Sequence, residues 1–299
     1  MQQLDWDDVR NFLTVARAGR LARAAATTGV DATTIGRRLR RLERRLGQTL
    51  FERTREGQVL TAAGERLLVE AEKMQSAASR IAETPDQGQS LSGSLRISVS
   101  EGFGTWYVVR RLADFAAEHP ALVIDLVASS GFLNPSRRET DIAIMLDRPT
   151  AGPLICSKLT DYELGIYAAK AYLDEHGTPK DAGELAGRHR LIGYVPELLY
   201  APQLNYLGEI SPDLEASLRS TSINAQYRLV TEGGGIGVLP YFIGRADSAL
   251  VRILPDIRIM RSFWTVTHRD TRELRRVRTF QRWLTTVVRQ DRHIFCQPD

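Results

Sequence analysis

The sequence predicts an α/β protein headed by a small, mostly α-helical module. Three observations carry this. Residues 21–45, LARAAATTGVDATTIGRRLRRLERR, read as two helices joined by a tight turn. From residue 93 onward, apolar strands alternate with amphipathic helices, starting with SLRISVSEGF, a helix to His119, and LVIDLVAS. That order is a βαβ unit and implies a parallel sheet. Between the two halves lies TPDQGQSLSG (84–93), whose Pro, Gly, Ser and Gln mark a linker or hinge. The length of 299 residues, 43% of them apolar, suits about two domains.

The first helix places Trp6, Val9, Phe12, Leu13 and Ala16 on one face, with Asp5 or Asp7 as its cap and Gly19 as its stop. Ala24, Ala25 and Ala26 are small enough for a second helix to pack closely. Gly29 and Val30 end that helix, and Asp31 is a good N-cap for the next. Ile35, Leu39, Leu42 and Leu46 then form one apolar stripe. The other face carries Arg37, Arg38, Arg40, Arg41, Arg44 and Arg45 against Glu43 alone, six of the chain's 40 Lys and Arg. This is a helix-turn-helix (about 21–40), whose second helix, about Ala32 to Arg45, fits a DNA major groove. On this stretch alone a solvated basic face on an ordinary hairpin is the equal alternative.

Gly47 stops the recognition helix, and Gln48–Leu60 reads as strand, turn (Glu56-Gly57) and strand, with Leu50 and Phe51 as apolar plugs and Arg53 and Arg55 on a wing. Thr61 caps a long helix in which Leu67, Ala71, Met74, Ala78 and Ile81 keep a coiled-coil spacing. A seam of that length points to a second copy of the helix rather than to the small module alone.

The run of motifs over residues 4–66 resembles the DNA-binding domain of LysR-type transcriptional regulators: an AA-containing helix, VDATTIGRRLRRLE, LGxxLFER, then LTxAG. The sequence departs from the usual pattern at Thr28, Ala32, Thr33 and Gly36. The last three positions are expected to face DNA, so the operator sequence is not inherited from other members.

In the larger half, Asp141–Met145 reads as a third buried strand and Glu163–Ala168 as a fourth, followed by the helix AKAYLDEHG and by the strand Leu191–Val195. Asn224–Glu232 reads as a helix, and Gly233–Pro240 as a glycine turn entering a strand, not a phosphate loop, because no helix follows. Phe263–His268 is a late strand and Glu273–Gln290 an amphipathic helix with a solvated arginine face. LRIS, the Phe115-to-Pro120 spacing, DIAI, the Tyr167-to-Tyr172 spacing and GGIGxLP resemble the effector-binding domain of the same regulators, itself similar to periplasmic solute-binding proteins. The resemblance implies a winged helix-turn-helix at 1–62, a linker and dimerisation helix with hinge at 63–92, and an effector domain at 93–299. Its subdomain I would hold about 93–161 and 268–299, and subdomain II about 162–267.

Several classes lose support. The N-terminus lacks a basic stretch followed by an apolar run, so no signal peptide is expected, and no segment has 18 apolar residues. Cys156 and Cys296 offer no disulfide framework and suit a reducing cytoplasm. A redox role for them finds little support in their neighbours. No Walker A, GxGxxG, HExxH or CxxC motif is present, so no cofactor, metal site or catalytic site is expected. An α/β enzyme with an accessory DNA-binding domain would have to draw on Ser100, His119 and His268, which lack a GxSxG elbow. A non-enzymatic solute-binding protein leaves the arginine-rich helix unexplained.

The expected function is therefore sequence-specific binding of double-stranded DNA, modulated by a small-molecule effector. Thr33, Thr34 and Arg37 would meet base edges, and Arg38, Arg41, Arg53 and Arg55 phosphates. The effector, read as a small organic acid, would lie at strand ends and helix starts, against Ser98, Ser100, Glu101, Ser129 or Ser130, Thr221, Ser222 and Asn224. The 61–84 helix would make a homodimer or homotetramer, and RNA polymerase would be a further partner of an activator.

Overall fold

The computed structural model describes residues 4–55, 57–82, 91–129, 131, 135 and 139–297, without the side chains of 76 and 79–82. Glu56 of the expected turn, Ile81's side chain, Ser130 and most of the expected linker lie outside these residues. The chain divides into two compact units, essentially residues up to 87 and residues from 88 onward.

The first unit is α1 (Trp6–Ala18), α2 (Leu21–Thr28), α3 (Ala32–Leu46), β1 (Phe51–Thr54), β2 (Gly57–Leu60) and α4 (Ala62–Ala82). Local chemistry sets the boundaries. The Asp5 carboxylate accepts from the Asp7 amide, and Asp31 from those of Thr33 and Thr34. Gly19, Gly29 and Gly47 each close a helix in the left-handed conformation. Val9, Phe12, Leu13, Ile35, Leu39 and Leu42 bury together with Leu50 and Phe51. Two other glycines are required by close approach. A Cβ on Gly57 would stand 2.3 Å from the Gly19 carbonyl oxygen, and one on Gly64 2.2 Å from that of Leu50. Those contacts seat the hairpin against the α1–α2 turn and α4 against the wing.

The expected α4 seam is partly spent inside this unit. Ala71 is fully buried and Leu67 packs on the same core, while Met74 stays 42% exposed. Arg17 of α1 donates to Gln75 at 2.8 Å, which fixes that face of α4 against α1.

The second unit begins with β3 (Gly93–Ser100), a helix made of α5 (Glu101–Phe103), a π-helical turn (Gly104–Val108) and α6 (Val109–Glu118), then β4 (Leu122–Ser129), β5 (Ile142–Met145) and β6 (Leu154–Ala169). Next come α7 (Lys170–His176), α8 (Ala182–Arg188), β7 (Leu191–Gly193), α9 (Leu207–Ile210), β8 (Leu218–Arg219) and α10 (Ile223–Thr231). The last elements are β9 (Ile236–Pro240), α11 (Tyr241–Gly244), β10 (Leu250–Ile253), β11 (Ile259–His268) and α12 (Arg275–Gln290).

One sheet runs β4-β3-β5-β11-β6-β9-β7-β8, with β10 also on β6. It is mixed rather than parallel. β3 is parallel to β4 and β5, and β7 to β8 and β9, but the long strands β6 and β11 run antiparallel to each other and to their neighbours. The strand expected at 163–168 is the far half of β6, which starts at Leu154 and carries the chain from one half-sheet to the other. β11 makes the return, and its register slips between Phe263 and Trp264, opposite Thr160 and Lys158. Phe103, Phe242, Phe263 and Phe295 gather around this crossing, with Phe103 and Phe263 centroids 4.3 Å apart. The segment after α12 is stitched to it: the Glu163 amide donates to the Phe295 carbonyl, and Phe295 is fully buried.

Candidate nucleic-acid interface and effector cleft

Recognition helix α3 buries Ile35, Leu39 and Leu42 and presents its arginines outward. Thr33 and Arg37 are exposed in its first two turns, with Thr34 half-buried. Arg37, Arg40 and Arg44, and Arg53 and Arg55 of the hairpin, meet no carboxylate among the described residues. Arg38 lies 3.9 Å from Asp7, a loose and exposed pairing.

Arg41 is engaged within the unit itself. Its Nε donates to Asp8 Oδ2 at 2.6 Å, and its Nη2 to Asp8 Oδ1 and to Asp5 Oδ2 at 2.9 Å. Asp8 is fully buried, so Arg41 neutralises a carboxylate that would otherwise be costly, and it ties α3 to α1. Arg45, 3.7 Å from the same carboxylate, shares this work. Gly36 is buried in α3 beside Leu21 of α2, where a Cβ would stand at an ordinary contact distance of 3.7 Å. Glu43, the lone acid of the stripe's edge, accepts from the Leu50 amide at 2.8 Å and anchors the start of the wing.

In the second unit the structure brings three of the expected effector residues together. Glu101 Oε1 accepts from the Ser222 hydroxyl at 2.8 Å, and Oε2 from the Ile223 amide at 3.0 Å. Ser222 in turn caps α10 by accepting from the Ala225 amide. Asn224 Oδ1 accepts from Trp106 Nε1 at 2.8 Å, and Asn224 Nδ2 donates to Thr105 at 3.3 Å. Trp106 also stands edge-on to Tyr227, with centroids 4.7 Å apart. This clasp joins the helix after β3 to the start of α10. Glu101 thus places a carboxylate of the chain's own at the α10 N-terminus.

Beside the clasp lies a cavity of about 30 Å3, lined by Ser100, Gly102 and Ile223 and by aromatic and aliphatic side chains from both half-sheets. Ser98 and Ser129 do not line it. Ser98 is fully buried within β3, two residues before the strand's last residue, Ser100. The Ser129 hydroxyl turns back to donate to the Gly131 carbonyl. Thr221 is half-buried in the turn before α10.

The residues missed by sequence reasoning are the phenols of this cavity: Tyr162, Tyr194, Tyr200 and Tyr206. The even spacing of the last three in YVPELLYAPQLNY was the available signal. Burial pushes the hydroxyls of Tyr162, Tyr194 and Tyr206 up, and that of Tyr200, which also feels Glu101, to about 12, so all four are neutral. Tyr194, Leu204 and Tyr206 also wall a neighbouring pocket of about 310 Å3.

Other groups serve structure. Glu163, fully buried, binds Arg252, Arg258 (3.0 Å) and the Gln297 amide (3.0 Å). Burial pushes its carboxyl up, but these donors outweigh that and hold it below its ordinary range. Burial raises both thiols, so neither Cys156 nor Cys296 is poised as a thiolate. His119 stands against the Phe115 ring, and His268 Nδ1 accepts from the Asp270 amide. Among the described residues, no helix is long and apolar enough to cross a membrane.

A winged helix-turn-helix followed by two half-sheets joined through two crossing strands defines a DNA-binding regulator with a ligand-binding domain. Residues 6–65 match the model of bacterial regulatory helix-turn-helix proteins of the lysR family, and residues 88–289 match the LysR substrate binding domain. The chain belongs to the LysR family of transcriptional regulators. It is 28% identical to the Mau operon transcriptional activator of Paracoccus denitrificans, over 80% of this chain and 81% of that one. It is also 28% identical to the transcriptional regulator PtxR of Pseudomonas aeruginosa, over 87% and 85%. In fold it is similar to CrgA, a LysR-type regulator from Neisseria meningitidis, with TM-score 0.60 and 23% identity over 96% of this chain and 99% of that one. A full-length variant of OxyR from Pseudomonas aeruginosa gives TM-score 0.73 at 18% identity, over 96% and 98%.

Proposed function

We propose that this regulator docks α3 in the major groove of an operator as a two-fold oligomer, and that a small molecule held between its half-sheets modulates that docking. The observation that carries the DNA contacts is the set of cations left without a carboxylate among the described residues: Arg37, Arg40 and Arg44 on α3, Arg53 and Arg55 on the wing. Thr33, Thr34 and Arg37 read base edges; Arg38, Arg53 and Arg55 hold phosphates. The exposed part of α4 around Met74 pairs with a second copy, which places two recognition helices on an inverted repeat. The cleft binds its ligand without converting it, and RNA polymerase is a partner where the regulator activates.

The test is duplex binding as a function of salt. Each phosphate contact contributes a slope of roughly −0.9 in log K against log salt. Arg37→Ala is expected to relax base preference at one operator position and to leave binding to random duplex nearly intact. Equal losses on operator and random DNA would remove Arg37 from the base-reading set.

A further inference from the structure

The clasp and the cavity beside it together define what the cleft can hold. The N-terminal amides of a nine-residue helix such as α10 are a ready anion site. Here Glu101 occupies it, taking both the Ser222 hydroxyl and the Ile223 amide. A ligand carboxylate brought alongside would meet a fixed negative charge at short range, with the nearest donors already engaged.

The cavity itself offers no charge. Its lining is phenyl, aliphatic and phenol groups together with Ser100. Tyr162 is 4% exposed, and its hydroxyl meets no hydrogen-bond partner among the described residues. A phenol hydroxyl both donates and accepts, so it can meet a ligand oxygen that enters the cavity. The cavity admits only a water-sized group as it stands. A ring fits only where the partition of Tyr194, Leu204 and Tyr206, which separates this cavity from the 310 Å3 pocket, moves aside.

Resting on the reading of this domain as an effector site, we propose that Glu101 is the cleft's own anion. The cleft accordingly takes an uncharged ring compound carrying a hydroxyl or carbonyl group, met by Tyr162, and turns carboxylates away. Glu101 is then the residue that sets ligand charge, and Tyr162 the one that recognises the ligand's oxygen.

Calorimetric titration of the full chain with phenol, benzoate and benzylamine, which is a cation at neutral pH, separates the classes. Phenol is expected to bind, benzoate at least about ten-fold more weakly because of the Glu101 charge, and benzylamine at least about ten-fold more weakly because both Glu101 oxygens are already engaged and the lining offers its ammonium no countercharge. Tyr162→Phe is expected to weaken phenol by about ten-fold, and Glu101→Gln, which keeps an acceptor but removes the charge, to bring benzoate close to phenol. The proposal is overturned if phenol does not bind, if either ion binds the unaltered chain as tightly, or if neither variant shifts its ligand. Should Glu101→Gln fail to fold, the three-ligand comparison and Tyr162→Phe decide. The effector reading is tested separately, by operator binding with and without phenol. Phenol binding that leaves operator affinity unchanged sinks that reading while the ligand class stands. Operator affinity that responds to benzoate and not to phenol sinks the ligand class and keeps the effector reading.

Discussion

The Arg41 guanidinium forks onto Asp8, an exposed helix donor reaching a carboxylate with no solvent contact. Taking away one partner of such a pair leaves a buried charge short of its counterion. Arg41→Ala is therefore expected to lower the melting temperature of the DNA-binding unit. Arg37→Ala, an exposed substitution, should stay within about 0.5 kcal/mol of the unaltered stability. Thermal unfolding of both variants checks this; a Tm for Arg41→Ala equal to that of the parent would return the residue to the phosphate-binding set.

On the wing, Arg53→Ala and Arg55→Ala should each reduce the salt slope of random-duplex binding by roughly 0.9. Fluorescence anisotropy over a salt series measures it. An unchanged slope in both would show that the hairpin stays clear of the backbone.

Along α4, Ala71 and Met74 should part company. Ala71→Glu forces a charge into a core position with no exposed surface and is expected to unfold the module. Met74→Glu, at an exposed site, should leave the helix content intact and split the oligomer in sedimentation velocity. An oligomer that survives Met74→Glu rules out pairing through that face.

Glu163 gives the larger unit a pH signature. Its carboxyl titrates below the ordinary 4.5, so its stabilisation is complete above that pH and drains away as pH falls through the lowered folded value. Glu163→Gln should cost about 3 kcal/mol near neutrality, by analogy with broken buried pairs. The gap between parent and variant melting temperatures should close in acid. A gap that holds constant down to pH 3, about a unit below a free carboxyl, would contradict the assignment.

Phe295, fully buried among the crossing aromatics, offers a packing test. Phe295→Ala should destabilise by about 3–5 kcal/mol, read from denaturant unfolding. A loss near 1 kcal/mol would mean that the surrounding rings close over the gap.

What the sequence made legible was whatever rests on local periodicity and caps. Asp31, Gly47 and the Ile35–Leu42 stripe mark α3 to within a residue, and Thr61 marks the start of α4. Two kinds of fact stayed hidden. One is the identity of a long-range partner: nothing near Arg41 in the chain announces Asp8, 33 residues away, and nothing near Glu101 announces Ser222, 121 residues away. The other is the continuity of β6, because a strand that changes half-sheets midway exposes first one pattern and then another. Polar residues expected at the cleft bond to one another, and the cavity beside them is lined by tyrosines whose even spacing matches no known motif.

The stitching of Phe295 and Gln297 onto Glu163 bears on how the protein is made. The winged module is one continuous stretch of chain and can fold as soon as it leaves the ribosome, as N-terminal domains commonly do. The ligand-binding unit cannot. β11, α12 and the residues through 297 are synthesised after every strand they hold together. Until they arrive, β5 and β6 lack the strand that runs between them and the aromatic crossing is open. During translation a nascent regulator therefore acquires its DNA-binding surface well before it acquires the means of being controlled.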